Sequence, residues 1–171
     1  MKYLFLDIDG VLNSENWYGW RQYCYNNKWM DKIQDPSITD EFVQYKLHEI
    51  DERAVANLNR IIDKTGCKVV LSSSWRSSSD FENTLTNYVL TLKGFKYTFY
   101  GVTPRLFSQD RGVEIKRWLE EESKKNEIES YLILDDDCDM LPDQMDNFIL
   151  VNRQYGLSDI DVFKAIEILN K

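Results

Sequence analysis

The chain is poor in the residues that build zinc and disulfide sites. It has a single histidine, His48, and three widely spaced cysteines, Cys24, Cys67 and Cys138. None of the cysteines is in a CxxC pair, so a Cys/His zinc site is not expected. An odd number of cysteines behind no secretory leader is the pattern of free thiols in a reducing cytoplasm. The longest apolar stretches fall well short of the roughly 20 residues a membrane helix needs. The start, Met1 to Asp7, turns acidic after one short apolar run and reads as a mature N-terminus. Positive charge is also scarce, with a net charge of −8 over 171 residues. Stable non-specific binding to nucleic acid, which depends on neutralising phosphates with Lys and Arg, is therefore not expected. There is no Gly-Lys-Ser/Thr phosphate loop, internal repeat or low-complexity tract.

Hydrophobic residues make up 43% of the chain and aromatics 13%, enough for one domain with a real core. Short, continuously apolar runs suited to buried strands occur at Lys2 to Ile8, Cys67 to Ser72, Lys96 to Val102, Tyr131 to Leu134 and Phe148 to Val151. Helical spacing is found over Asp51 to Lys64, over a segment capped by Ser79 or Asp80 and ending at Gly94, over Gly112 to Lys125, and over Ser158 to Asn170. This alternation predicts an α/β fold with a mostly parallel sheet. From Asn13 to Ile50 periodicity is lost, Pro36 interrupts, and Trp17, Tyr18, Trp20, Tyr23, Tyr25 and Trp29 crowd together. Residues 13–50 read as a small flap or cap inserted into a single domain spanning 1–171. The aromatics there would either form the flap's own core or stack on bases.

Ligands in parallel α/β sheets bind beyond the carboxyl ends of the strands. Three strands end in chemistry: Asp7 and Asp9 after the first, Ser72 and Ser73 after the second, Asp135 and Asp136 after the fourth. Asp7 and Asp9 stand two apart, so in extended chain both carboxylates point the same way. Such a pair needs a cation between them, or a proton on one. Both serve phosphoryl transfer, since Mg²⁺ takes oxygen ligands and substrate phosphate and a protonated Asp can hand its proton to the leaving oxygen.

Asp7-Ile8-Asp9-Gly10-Val11 resembles the first motif of the haloacid dehalogenase-like (HAD) phosphatase superfamily. The resemblance implies a Rossmann-like three-layer sandwich and a Mg²⁺-dependent phosphatase. It makes Asp7 the nucleophile that forms an aspartyl-phosphate, and Asp9 the general acid and then base, with its backbone carbonyl on the metal. It makes Ser72, with Ser73 beside it, the phosphate-binding hydroxyl. Arg111, before Gly112, becomes the phosphate-binding cation, with Lys116 and then Arg105 as alternatives. Asp136 becomes a direct metal ligand supported by Asp135. Asp139 offers a second assignment, because another version of that motif places its two carboxylates four residues apart. Arg76 is either a clamp on phosphate or half of a surface ion pair. The longer strings Phe5 to Asn13, Ser72 to Arg76, Arg111 to Ile115 with Trp118-Leu119, and Ile133 to Asp137 are similar to the HAD-like domain of Swiss Army knife RNA-repair proteins. That relative implies removal of phosphate from nucleic-acid ends or nucleotides, with RNA repair as the setting. The competing expectation is a binding or regulatory module that keeps the fold without turnover.

Overall fold

The computed structural model describes residues 1–29, 38, 40–76, 80–106 and 110–171. Five strands form one all-parallel sheet: β1 (Lys2–Leu6), β2 (Lys68–Leu71), β3 (Gly101–Val102), β4 (Ser130–Asp135) and β5 (Phe148–Leu150), in the order β3-β2-β1-β4-β5. The sheet is parallel throughout.

The alternation of side chains along each strand divides the core into two layers. Leu4, Leu6, Val69, Leu71, Leu132 and Leu134 face the helices α3 (Glu52–Thr65), α4 (Asp80–Leu92) and α6 (Asp159–Leu169). Tyr3, Phe5, Val70 and Ile133 face α5 (Arg111–Glu122) through Ile115 and Trp118. The expected three-layer sandwich is therefore present. Its helices carry readable ends. Asp51 caps α3, and Gly66, at φ +67°, closes it in the left-handed conformation. Ser158 and Asp161 form a reciprocal capping box on α6. Ser79, one of two expected caps for α4, lies outside the described residues; Asp80 is the first residue of that helix.

Two differences from the sequence reading have physical causes. The expected strand at Lys96 to Val102 shrinks to Gly101–Val102. The donors upstream go to helix side chains instead, Lys96 N–H to Asn59 Oδ1 at 3.1 Å and Phe99 N–H to Asn87 Oδ1 at 3.0 Å. The aperiodic segment after β1 contains two helices, α1 (Glu15–Asn26) and α2 (Glu41–Glu49). Helix α1 buries only Cys24 along its length, so it has no apolar stripe to read. Pro36 lies outside the described residues.

Register sets the level of the site. Leu6 pairs with Leu71 on one side and Leu134 on the other. Asp7, Ser72 and Asp135 therefore follow at one level, Asp135 as the last residue of β4 and still paired with Leu150. Asp7 N–H still donates to Leu134 O at 2.9 Å and Ser72 N–H to Leu6 O at 2.8 Å, which holds the loop bases rigid.

Candidate active site

Asp7, Asp135 and Asp136 converge, each offering a carboxylate oxygen within 4.8 Å of the others. Asp7 and Asp135 are nearly inaccessible. Burial, and then the proximity of Asp135, pushes the Asp7 carboxyl up to about 8. Burial likewise raises Asp135 to about 6, against the pull of the Asp137 N–H and Arg111. Arg111 stands beside the two buried carboxylates: its guanidinium lies 3.8 Å from Asp7 Oδ1 and 3.5 Å from Asp135 Oδ2. Neither distance is a hydrogen bond. Asp7 Oδ1 is buried with no donor among the described residues. Such a deficit is costly unless a ligand meets it. Oxygen donors alone, crowded and under-neutralised, are the donor set of a hard cation such as Mg²⁺.

Two glycines make room for this arrangement. Gly10 turns the chain out of β1 at φ +70°, and a Cβ there would stand 2.3 Å from the Asp136 carboxyl carbon. A Cβ on Gly112 would stand 2.5 Å from Leu141 N, so the start of α5 can lie against the loop after β4 only without a side chain. Asp139 anchors the same junction. Its carboxylate accepts Arg111 N–H at 2.9 Å and its carbonyl accepts Gly112 N–H at 3.1 Å. Asp139 thus tethers the helix that carries Arg111, and the carboxylate cluster is made with Asp136. Lys116 is exposed on α5, and Arg105 is exposed in the loop after β3.

Asp9 lies in a different setting. Its Oδ1 accepts from Asn13 Nδ2 and from Trp75 Nε1, each at 3.0 Å, and its Oδ2 accepts from Ser74 Oγ at 3.0 Å. Its carboxylate is not part of the three-aspartate cluster. The Ser73 hydroxyl near Asp7 favours its ionised form. Ser72 is buried, with its Oγ accepting from Thr103 Oγ1 at 3.3 Å, which leaves its own O–H to donate.

Arg76 is half of an ion pair, and the pair is buried, not on the surface: Arg76 donates to Ser73 O at 2.6 Å and pairs with the buried Glu114. Glu114 also accepts Leu106 N–H at 2.8 Å. This pair braces the loop after β2 against α5. Asn13, Trp75 and Glu114 lie within the strings named above without an assigned part; their partners in the fold, Asp9 and Arg76, are what mark them. Arg153 was not singled out. It lies in the loop after β5 and makes two hydrogen bonds to Asp136 Oδ2, at 2.9 and 2.7 Å.

Residues 3–162 match the family described as the HAD domain in Swiss Army Knife RNA repair proteins. The chain belongs to this family. HAD domains are generally hydrolases and phosphatases, and phosphorylated substrates with Mg²⁺ are typical of them. No curated protein and no solved structure matches the chain. Among the described residues, no helix of this HAD domain is long and apolar enough to cross a membrane.

Proposed function

We propose that the chain is a Mg²⁺-dependent phosphomonoesterase that acts through an aspartyl-phosphate on Asp7, with phosphorylated nucleic-acid ends or nucleotides as substrates. The observation that carries this reading is the contrast at the end of β1. Asp7 Oδ1 is a buried oxygen without a donor among the described residues, beside two more carboxylates, with Arg111 beyond hydrogen-bond distance of it. Two residues on, Asp9 is held by three donors.

Asp7, Asp135 and Asp136, with the Asp9 carbonyl, are the groups that would hold Mg²⁺, which offsets their mutual repulsion and the charge of the phosphoryl group. Asp7, ionised in that setting, attacks phosphorus. As the bond from phosphorus to the leaving oxygen breaks, Asp9 passes its proton to that oxygen. Asp9 then takes a proton from the attacking water, the bond from Asp7 to phosphorus breaks, and inorganic phosphate leaves. Arg111, Ser72 and Ser73 bind the phosphoryl oxygens in both steps.

The family's RNA-repair description and the surface of α1 support the substrate class. Trp17 is turned inward, with its indole N–H on His48 O at 2.9 Å. Tyr18, Trp20, Tyr23, Tyr25 and Trp29 are exposed. Arg21 lies over the Tyr18 ring, 5.3 Å from its centre. Helices α1 and α2 act as a small open flap that admits a bulky ester, and exposed rings of this kind stack on bases. Three unpaired thiols fit a cytoplasmic setting.

Phosphate release from 3′-phosphorylated oligonucleotides, 5′-phosphorylated oligonucleotides and nucleoside monophosphates, with and without Mg²⁺, tests the proposal. Turnover that needs Mg²⁺ and is lost by at least about a thousandfold in Asp7→Asn is expected. Turnover by Asp7→Asn at the parental rate, or no Mg²⁺-dependent turnover of any ester, sinks it in favour of a silent binding module. Rapid turnover of a nucleotide with every oligonucleotide inert removes the nucleic-acid end.

A further inference from the structure

The two oxygens of Asp9 are not equivalent. Oδ1 accepts from the Trp75 indole and from the Asn13 amide. An indole N–H can only donate. The Asn13 amide is also fixed in orientation, because its own Oδ1 accepts Gly10 N–H at 2.7 Å and so its Nδ2 must face Asp9. With two obligate donors on it, Oδ1 has no place for a proton. The partner of Oδ2 is the Ser74 hydroxyl, which can rotate to donate or to accept.

Trp75 is itself held from the flap side. The Lys46 ammonium of α2 stands 3.7 Å from the centre of the Trp75 ring, close enough for a strong attraction to the ring face. Glu49, one turn on, accepts from Lys46 at 3.2 Å and fixes the ammonium over the ring. Helix α2 thereby sets the plane of the indole, and the indole N–H sets the carboxylate.

We infer that Trp75, braced by Lys46, is a positioning residue that holds Asp9 so that Oδ2 is the oxygen that exchanges the proton with the leaving group. The inference rests on the phosphatase reading and adds to it a link from the inserted helices to the acid. In the first step the proton on Oδ2 moves to the leaving oxygen as its bond to phosphorus breaks. In the second step Oδ2 takes a proton from the attacking water.

The test compares two leaving groups. 4-Nitrophenyl phosphate releases a stable anion that needs no proton. An alkyl ester, the best nucleotide or oligonucleotide substrate of the parent, releases an alkoxide that does. Trp75→Phe keeps the ring and removes the N–H. It should lower kcat/KM, which reads the first step alone, about tenfold to a hundredfold on the alkyl ester, the scale of a misplaced catalytic group, and change kcat/KM on the nitrophenyl ester by less than about threefold. Lys46→Met, on a partly exposed helix face, should shift the same ratio in the same sense by about threefold or more. It carries the test alone where Trp75→Phe does not fold. Equal losses of kcat/KM on both esters, or no loss on either, in the folded variant overturn the inference while leaving the phosphatase reading intact. A parent inactive on both esters overturns that reading and this one together.

Discussion

Two buried ionic clusters lie side by side at the top of the sheet and are built on opposite rules. In one, Arg76 and Glu114 face each other, with Ser73 O and Leu106 N–H taking further valences. In the other, Asp7, Asp135 and Asp136 crowd around an arginine that stays beyond hydrogen-bond distance of the first two. The first is closed in charge, one cation to one carboxylate, and holds a loop to a helix, although Arg76 Nε has no partner among the described residues and Arg111 stands 3.8 Å from Glu114. The second sets three carboxylates against Arg111 and, on Asp136, Arg153, a deficit of positive charge that no described residue fills. Burial of charge alone therefore does not mark a candidate site; burial of unbalanced charge does.

The largest effect expected from this contrast is on the closed cluster. Glu114→Gln leaves Arg76 buried without a counter-charge and should lower stability by about 3–5 kcal/mol. Chemical denaturation reads this, and neither pH between 5 and 8 nor Mg²⁺ should restore it. A loss under about 1 kcal/mol would mean that the pair is not the brace described.

The open cluster should behave in the opposite sense. Asp7 and Asp135 have carboxyls raised from 3.8 to about 8 and about 6. The folded state therefore binds protons more tightly than the unfolded chain. Stability is present at pH 4 and is lost as pH rises towards 8. With a chelator present, Asp7→Asn should be more stable than the parent by about 2 kcal/mol at pH 8, and equal to it near pH 4. Thermal unfolding would show a gain of roughly 5 °C at the higher pH. Mg²⁺ should close the gap by stabilising the parent. A parent equally stable at both pH values would remove the distinction between the clusters.

The smallest effect is on affinity. Asp136→Asn should raise the Mg²⁺ concentration for half-saturation by at least about tenfold, measured by calorimetry. An unchanged affinity would place the cation elsewhere than among these three carboxylates.

How much of this was legible in the sequence differs between strands and side chains. The buried strands could be read because continuous apolar runs such as Val69-Val70-Leu71 leave few alternatives. Asp7, Ser72, Asp135 and Asp136 follow those runs directly, so their placement came with the strands. The third strand was over-read because Asn59 and Asn87 reach across from α3 and α4 to take its donors, and no local pattern announces that. The helices after β1 were missed because α1 exposes its aromatics where a packed helix would bury them. Arg76 was misjudged because its partner, Glu114, lies 38 residues away. Arg153 was overlooked because its loop has no motif, only proximity to Asp136 in the fold.

The pairing of Leu6 with both Leu71 and Leu134 has a consequence for how the protein comes into being. Parallel neighbours so distant along the chain are slow to find each other, because loop closure must precede their contacts. No continuous segment owns the site: two of the three clustered carboxylates are out of place until β4 has docked beside β1. A nascent chain released before residue 136 would carry Asp7 but not the complete carboxylate cluster. Cation binding during refolding should therefore arrive with the last cooperative phase, and would serve as a clock for the completion of the sheet.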